Sequence, residues 1–242
     1  MENGEHLACP SVMLSKVMQT RIAALVAVLA LAAASLASAQ GNAVVVENWA
    51  KQPVGRTGIP DGWQGQSWGS PKYDFIIEAD GQARVLHMKS QNEGSTINKE
   101  LKLDLKPNCV LQWRWKAVTL PRSGDSRKKE TDDQGVQIYV TFPRFPQAVR
   151  SRIIGYVWDT TAPVGTIVKS EKAGTVTYVV VKSGAEGLGQ WHTESRNVCD
   201  DYKKIYSEEL AEPAGAVSVA IDSNDTKSAA ESYVGEILFK KP

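Results

Sequence analysis

The stretch Thr131-Asp132-Asp133-Gln134-Gly135-Val136-Gln137-Ile138-Tyr139-Val140-Thr141-Phe142 decides the fold. Two carboxylates and a glycine lead into a segment in which Val136, Ile138, Val140 and Phe142 share one face. Gln137, Tyr139 and Thr141 share the other. A period of two marks a half-buried strand. A strand with one dry face needs a second layer to cover it, which makes this segment central to a β-sandwich. The acidic pair at its mouth, Asp132 and Asp133, is the first candidate for polar chemistry or metal binding.

The same alternation recurs on both sides. In Val110 to Val118, Leu111, Trp113, Trp115 and Ala117 fall on one face, and Gln112, Arg114 and Lys116 on the other. Further short strands are expected at Ala43–Trp49, Tyr73–Glu78, Arg84–Lys89, Ser95–Leu103, Ile153–Trp158, Val176–Lys182, Gln190–Arg196, Val217–Ile221 and Tyr233–Phe239. Turns separate them at Asp80-Gly81, Thr161 to Gly165 and Ser183-Gly184. Pro143 and Pro146 interrupt regular structure because each removes a donor and fixes φ. One helix is expected, over about 197–209. Asn197 caps it, Asp200 and Asp201 sit in its first turn, and Val198, Tyr202 and Ile205 line one face. Many short strands and one short helix make an all-β, two-sheet antiparallel sandwich.

The beginning of the chain reads differently. Lys16 and Arg21 precede an apolar run from Ile22 to Leu36, which ends in Ala37-Ser38-Ala39. A charged start, a short apolar stretch and a small-residue exit form a secretory signal peptide, residues 1–39. A membrane anchor is the alternative, but the run is about fifteen residues against the roughly twenty needed to span. Cleavage leaves 40–242 as a single β-sandwich domain, periplasmic or secreted, with no later run long enough to cross a membrane. Net charge is +1, which argues against nucleic-acid binding. The basic run Arg122 to Lys129 contains Asp125 and reads as a solvated loop, or alternatively as an anionic-ligand patch. After cleavage Cys109 and Cys199 remain. They form either one disulfide or two buried thiols. A bridge would close a loop of about ninety residues, worth roughly 4–5 kcal/mol in the chain-entropy model.

Several stretches together resemble a known family. They are Leu111-Gln112-Trp113-Arg114-Trp115-Lys116, Asp132-Asp133 with its strand, and Ile154-Gly155-Tyr156-Val157-Trp158 followed by Pro163-Val164-Gly165. Val181-Lys182-Ser183-Gly184, Gly189-Gln190-Trp191, Glu194 to Val198 with Asp201-Tyr202, and Asp222-Ser223-Asn224-Asp225-Thr226 follow in order. This series resembles the bacterial envelope family catalogued as domain of unknown function 3047, over roughly Val44 to Phe239. The resemblance implies a compartment and a domain, and no activity. Pro60-Asp61-Gly62-Trp63 after the opening strand, and the closing Tyr233-Val234-Gly235-Glu236-Ile237, are also similar to concanavalin-like lectins and glycan-processing domains. That likeness implies a jelly-roll form of the sandwich.

The candidate chemistry is polar and aromatic. Asp222, Asn224 and Asp225 form a short oxygen-rich loop that Asp132 or Asp133 could complete as a calcium site, since Ca²⁺ takes six to eight oxygens. The alternative is that these residues cap turns or pair with cations. Asp132, Asp133, Glu194 and Asp222 are candidates for a glycosidic acid/base pair, although the E-x-D-x-x-E string of the family-sixteen jelly-roll hydrolases is absent. No H-E-x-x-H, C-x-x-C or G-x-S-x-G string occurs, which removes the usual zinc and nucleophile signatures. His192 and Glu194 share one face if their segment is extended. Among the seven tryptophans, Trp113 and Trp115 belong to the core pattern. Trp63 and Trp68 lie in a Gly-rich loop, where a large ring is free to stack on a sugar or else plugs the end of the sandwich. The expected ligand-binding set is Trp63, Trp68, Arg114, Asp132, Asp133, Tyr139, His192 and Glu194. The expected function is non-enzymatic binding of an envelope glycan or polysaccharide, with calcium a candidate cofactor and none required. One alternative is a subunit of an envelope protein complex. Another is a hydrolase or lyase with a carboxylate pair.

Overall fold

The computed structural model describes residues 43–242; the expected signal peptide lies outside them. Thirteen strands are formed: β1 (Val44–Glu47), β2 (Gln64–Gly65), β3 (Asp74–Asp80), β4 (Ala83–Gln91), β5 (Gly94–Leu103), β6 (Val110–Thr119), β7 (Val136–Phe142), β8 (Arg152–Asp159), β9 (Ile167–Lys169), β10 (Val176–Ser183), β11 (His192–Asn197), β12 (Ala214–Asp222) and β13 (Ala229–Lys240). Two α-helices interrupt them, α1 (Gln147–Arg150) and α2 (Val198–Tyr206), with one 3-10 turn at Lys129–Thr131. One sheet runs β11-β6-β13-β4-β3, with β1 also on β13; the other runs β2-β5-β12-β7-β8-β10-β9. The two stack as a jelly-roll β-sandwich.

The strand that carries Val136 to Phe142 sits in the middle of the seven-stranded sheet, between β12 and β8. Its four alternating apolar side chains are fully buried. From the facing sheet, Leu111, Trp113, Trp115 and Ala117 meet them, also buried. The aromatics interlock: Trp113 stacks on Tyr156 with centroids 5.2 Å apart, and Trp115 lies 6.0 Å from Trp158. Burying such rings contributes the largest share of apolar stabilisation in a sandwich core.

One feature departs from the antiparallel expectation. β8 and β10 pair in parallel, with Gly155 opposite Tyr178 and Val157 opposite Val180. Parallel neighbours need a crossover, and the segment between them supplies one, returning along the sheet edge as β9, antiparallel to β10. Side chains on the outer face of this corner form a second apolar cluster of Val157, Ala162, Val176, Tyr178 and Val180.

Cys109 and Cys199 are joined by a disulfide. It ties the entry of β6 to the first turn of α2, and so anchors β11, which pairs only with β6. Asn197 caps α2 as its sequence position indicates, its side chain accepting the N–H groups of Cys199 and Asp200. The helix stops at Ser207, which takes φ 56° and a left-handed conformation.

Candidate functional site

The outer face of the seven-stranded sheet is polar where the strands cross its middle. Register aligns Gln64, Asn98, Ser218, Tyr139, Gly155 and Tyr178 in one row across six strands. The next row runs Thr96, Ala220, Gln137 and Val157. Gly155 is essential to the first. A Cβ there would lie 2.6 Å from Tyr139 Cε1 and 3.1 Å from Tyr178 Cδ1, so only glycine leaves room for the two rings on either side of it.

These rings feed a chain of hydrogen bonds that ends on Asp132. The Tyr139 hydroxyl donates to Gln137 Oε1, Gln137 Nε2 to Gln134 Oε1 at 2.7 Å, and Gln134 Nε2 to Asp132 Oδ1 at 2.8 Å. Ser170 Oγ and the Tyr178 hydroxyl donate to the other Asp132 oxygen at 3.2 and 3.4 Å. Burial pushes the Asp132 carboxyl above its ordinary range, and pushes both tyrosine hydroxyls up as well.

Asp133 does a different job. It is fully buried, and its two oxygens accept the backbone N–H groups of Asp225 at 3.1 Å and Thr226 at 2.6 Å. The Asp222–Thr226 turn is thereby fixed at the end of β12. Asp225 pairs with Lys172. Burial, and then the charge of Asp133, raise the Asp222 carboxyl well above the ordinary range. Beneath this turn lies Gly94, whose Cβ position would be 2.9 Å from Asp222 Oδ1 and 3.2 Å from Asn224 Oδ1. A side chain there would fill the space in front of both oxygens.

That space is part of a cleft of about 650 Å³. Gly94, Thr96 and Ala220 contribute to its floor; Gln137, Asp222, Asn224 and Lys172 line one side, and Gln66 and Trp68 the other. Trp68 is 61% exposed. Its loop is held by Gln66, whose Nε2 donates to the carbonyls of Trp68 at 2.9 Å and Gly94 at 3.3 Å. Gln66 Oε1 accepts the Thr96 N–H at 2.7 Å. Glu93 is buried beside the cleft. Its Oε2 accepts Ser95 Oγ and the Lys72 N–H, while its Oε1 has no partner among the described residues.

The expected ligand-binding set does not come together as a whole. Asp132, Asp133 and Tyr139 support this cleft from beneath, and Trp68 borders it. Trp63 is a core plug instead. It is 6% exposed, stacks on Trp49 at 5.4 Å, and gives its indole N–H to buried Glu47, which also binds Lys99. Arg114 belongs to the outer face of the other sheet, paired with Asp80 and 4.0 Å from the Trp191 ring centroid. His192 and Glu194 lie at that sheet's edge on its core-facing side, because His192 pairs with Trp115 and Glu194 with Trp113. His192 Nε2 donates to the Gly187 carbonyl, and Glu194 accepts the Trp115 indole. Of the residues considered for calcium, Asp132, Asp133 and Asp225 are already engaged by internal donors. No group of three His, Cys, Asp or Glu side chains among the described residues is arranged to hold a metal ion. Gln66, Glu93, Gln137 and Lys172 join the site through strand register and loop folding, which leave no local mark in the sequence.

A family model described as "Protein of unknown function (DUF3047)" matches residues 61–238. No curated protein matches the chain. Among solved structures it is similar to a family 30 carbohydrate-binding module of a cellulosomal cellulase of Clostridium thermocellum. The TM-score is 0.42 at 10% identity, covering 83% of this chain and 98% of that one. It is also similar to the xyloglucanase domain of a type three effector from Sinorhizobium fredii (TM-score 0.42, 8% identity, 74% and 93% covered). A third similar structure is a carbohydrate-binding module specific for non-crystalline cellulose (TM-score 0.38, 11% identity, 83% and 93% covered).

Proposed function

The chain belongs to the DUF3047 family of proteins of unknown function, and we propose that it binds a glycan chain in the cleft beside Trp68. One observation carries this reading. An exposed indole, fixed at its backbone by Gln66, stands against a cleft lined with amides, hydroxyls and carboxyls. Sugar rings present apolar C–H faces that stack on an indole, and hydroxyls that need donors and acceptors at their rim. Gln137, Asn224, Asp222 and Lys172 offer both kinds of group. The loop is anchored before any ligand arrives, so little conformational freedom is lost on binding. The signal-peptide pattern of residues 1–39 makes an exported glycan binder, meeting its ligand in the envelope or outside the cell, the natural form of the proposal.

The test is a thermal melt of the protein with a panel of envelope and plant polysaccharides, run with Ca²⁺ and with EDTA. A ligand that binds only the native state raises the midpoint by mass action. A rise with at least one polysaccharide, absent in Trp68→Ala, is the expected result. A rise confined to the Ca²⁺ arm would add the ion to the site, with the Asp222 and Asn224 oxygens above Gly94 as its first ligands. A flat response to every additive would discard the reading and turn attention to a protein partner.

A second reading rests on the two carboxyls of this cleft. Burial and the charge of Asp133 raise the Asp222 carboxyl, and Glu93 keeps one oxygen without a partner among the described residues. Glycosidic cleavage uses two carboxyls held in different environments. New reducing ends or unsaturated products that vanish in Asp222→Asn would favour cleavage over binding alone.

A further inference from the structure

The connection between β7 and β8 carries an unusual pair. Phe145 is 85% exposed and Val149 is 74% exposed, the two most exposed large apolar side chains among the described residues. They stand four positions apart around α1, and neither covers any part of the core. Beside them opens a second cleft of about 640 Å³, which shares no residue with the one beside Trp68. Val149 forms part of its wall, and Arg150, Arg152, Lys169 and Lys204 bring four cations to it from four different elements.

The cations are not equivalent. Arg152 is committed, binding Glu208 and the Tyr202 hydroxyl and lying over the Tyr206 ring. Glu208 also takes Arg144, and Glu209 takes Lys203. Among the described residues, Arg150, Lys169 and Lys204 have no carboxylate partner. Thr175 and Thr177 line the same cleft and add hydroxyl groups of the kind that hydrogen-bond an anion's oxygens.

We propose that the Phe145–Val149 connection and the basic cleft behind it dock onto an anionic phospholipid surface. Apolar tips beside unpaired cations match the two layers of such a surface, with acyl chains beneath and phosphates above. An acidic polysaccharide would satisfy Arg150, Lys169 and Lys204 but leave Phe145 and Val149 in water. A neutral glycan would satisfy neither set. The two clefts share no lining residue, so the proposal does not depend on what the Trp68 cleft binds.

Vesicle flotation of the full chain tests it, comparing phosphatidylcholine vesicles with and without phosphatidylglycerol. The apolar run Ile22–Leu36 is common to every variant, so the differences between variants report on the cleft. Wild type should bind the anionic vesicles more tightly, and the preference should fall with salt. Lys169→Glu with Lys204→Glu should weaken binding by about fivefold or more for each cation removed. Phe145→Ser with Val149→Ser should weaken it as well, with thermal midpoints unchanged in both variants. Equal binding of wild type to neutral and anionic vesicles would overturn the proposal. So would charge reversal without effect. Binding to alginate that is lost on charge reversal, with lipid binding indifferent to Phe145→Ser and Val149→Ser, would assign the cleft to an acidic polymer instead. Competition by inorganic phosphate without any affinity for vesicles would assign it to a free anion.

Discussion

The Asp133 carboxylate accepts the backbone N–H of Thr226 at 2.6 Å across 93 positions of sequence. Its other oxygen takes the N–H of Asp225. The mouth of β7 and the turn after β12 are therefore one unit, and the cleft wall of Asp222 and Asn224 depends on a residue that never reaches the cleft. Asp133→Ala would strand two backbone donors. It should cost about 1–3 kcal/mol in urea unfolding and weaken glycan binding while leaving Trp68 in place. A variant as stable as wild type with unchanged binding would show that the turn holds itself.

Trp63 and Trp68 should separate stability from binding. Trp63 is buried on Trp49 with its N–H on Glu47, so Trp63→Ala should cost about 3–5 kcal/mol. Trp68 is mostly in solvent, so Trp68→Ala should change stability by less than about 0.5 kcal/mol and abolish the ligand-dependent rise in midpoint. Melts with and without polysaccharide measure both effects. A large loss of stability on removing Trp68 would contradict the assignment.

Gly155→Ala is a one-carbon test of the outer face. The added methyl would press on Tyr139 and Tyr178. Overpacking of this kind costs about 1–3 kcal/mol. It should also break the Tyr139–Gln137 hydrogen bond, visible as a change in tyrosine ultraviolet absorption. A neutral substitution would mean that the rings have room to move aside.

Asp222 should give stability a pH signature. Its native carboxyl is raised by burial and by Asp133, while in the unfolded chain it titrates near pH 4. Above that pH the native state holds a proton that the unfolded state has lost, so stability falls as pH rises from about 4 toward the native value. Asp222→Asn is neutral throughout and should remove that slope. Subtracting the two curves of midpoint against pH isolates the effect, and parallel curves would show that Asp222 ionises as an ordinary carboxylate.

The strands with strong alternation were legible from their residues, because alternation records burial directly. Val136 to Phe142 and Leu111 to Ala117 have their apolar faces where the pattern puts them. Asn197 announced the start of α2 through the chemistry of a cap. Register left no such trace. Arg114 and Tyr139 both point away from the core, and nothing local says that they do so from opposite sheets. The loop tryptophans were equally ambiguous, since a Gly-rich loop carries a ring inward or outward with equal ease. What separated Trp63 was Glu47, a buried acid sixteen residues away that takes its N–H. β2 and β9 are too short to show a period, and the parallel pairing of β10 with β8 reflects a crossover that neither strand encodes alone.

The position of β13 bears on when this molecule can fold. It is the last strand of the chain, and it supplies the pairing partner of β1, β4 and β6 alike. Until Ala229 to Lys240 has been synthesised, the middle of the six-stranded sheet does not exist, and three earlier strands lack their common neighbour. A growing chain therefore gains little from collapsing early, and its long-range pairings make even the finished chain slow to settle. Removing those final residues would leave no smaller sandwich to fall back on.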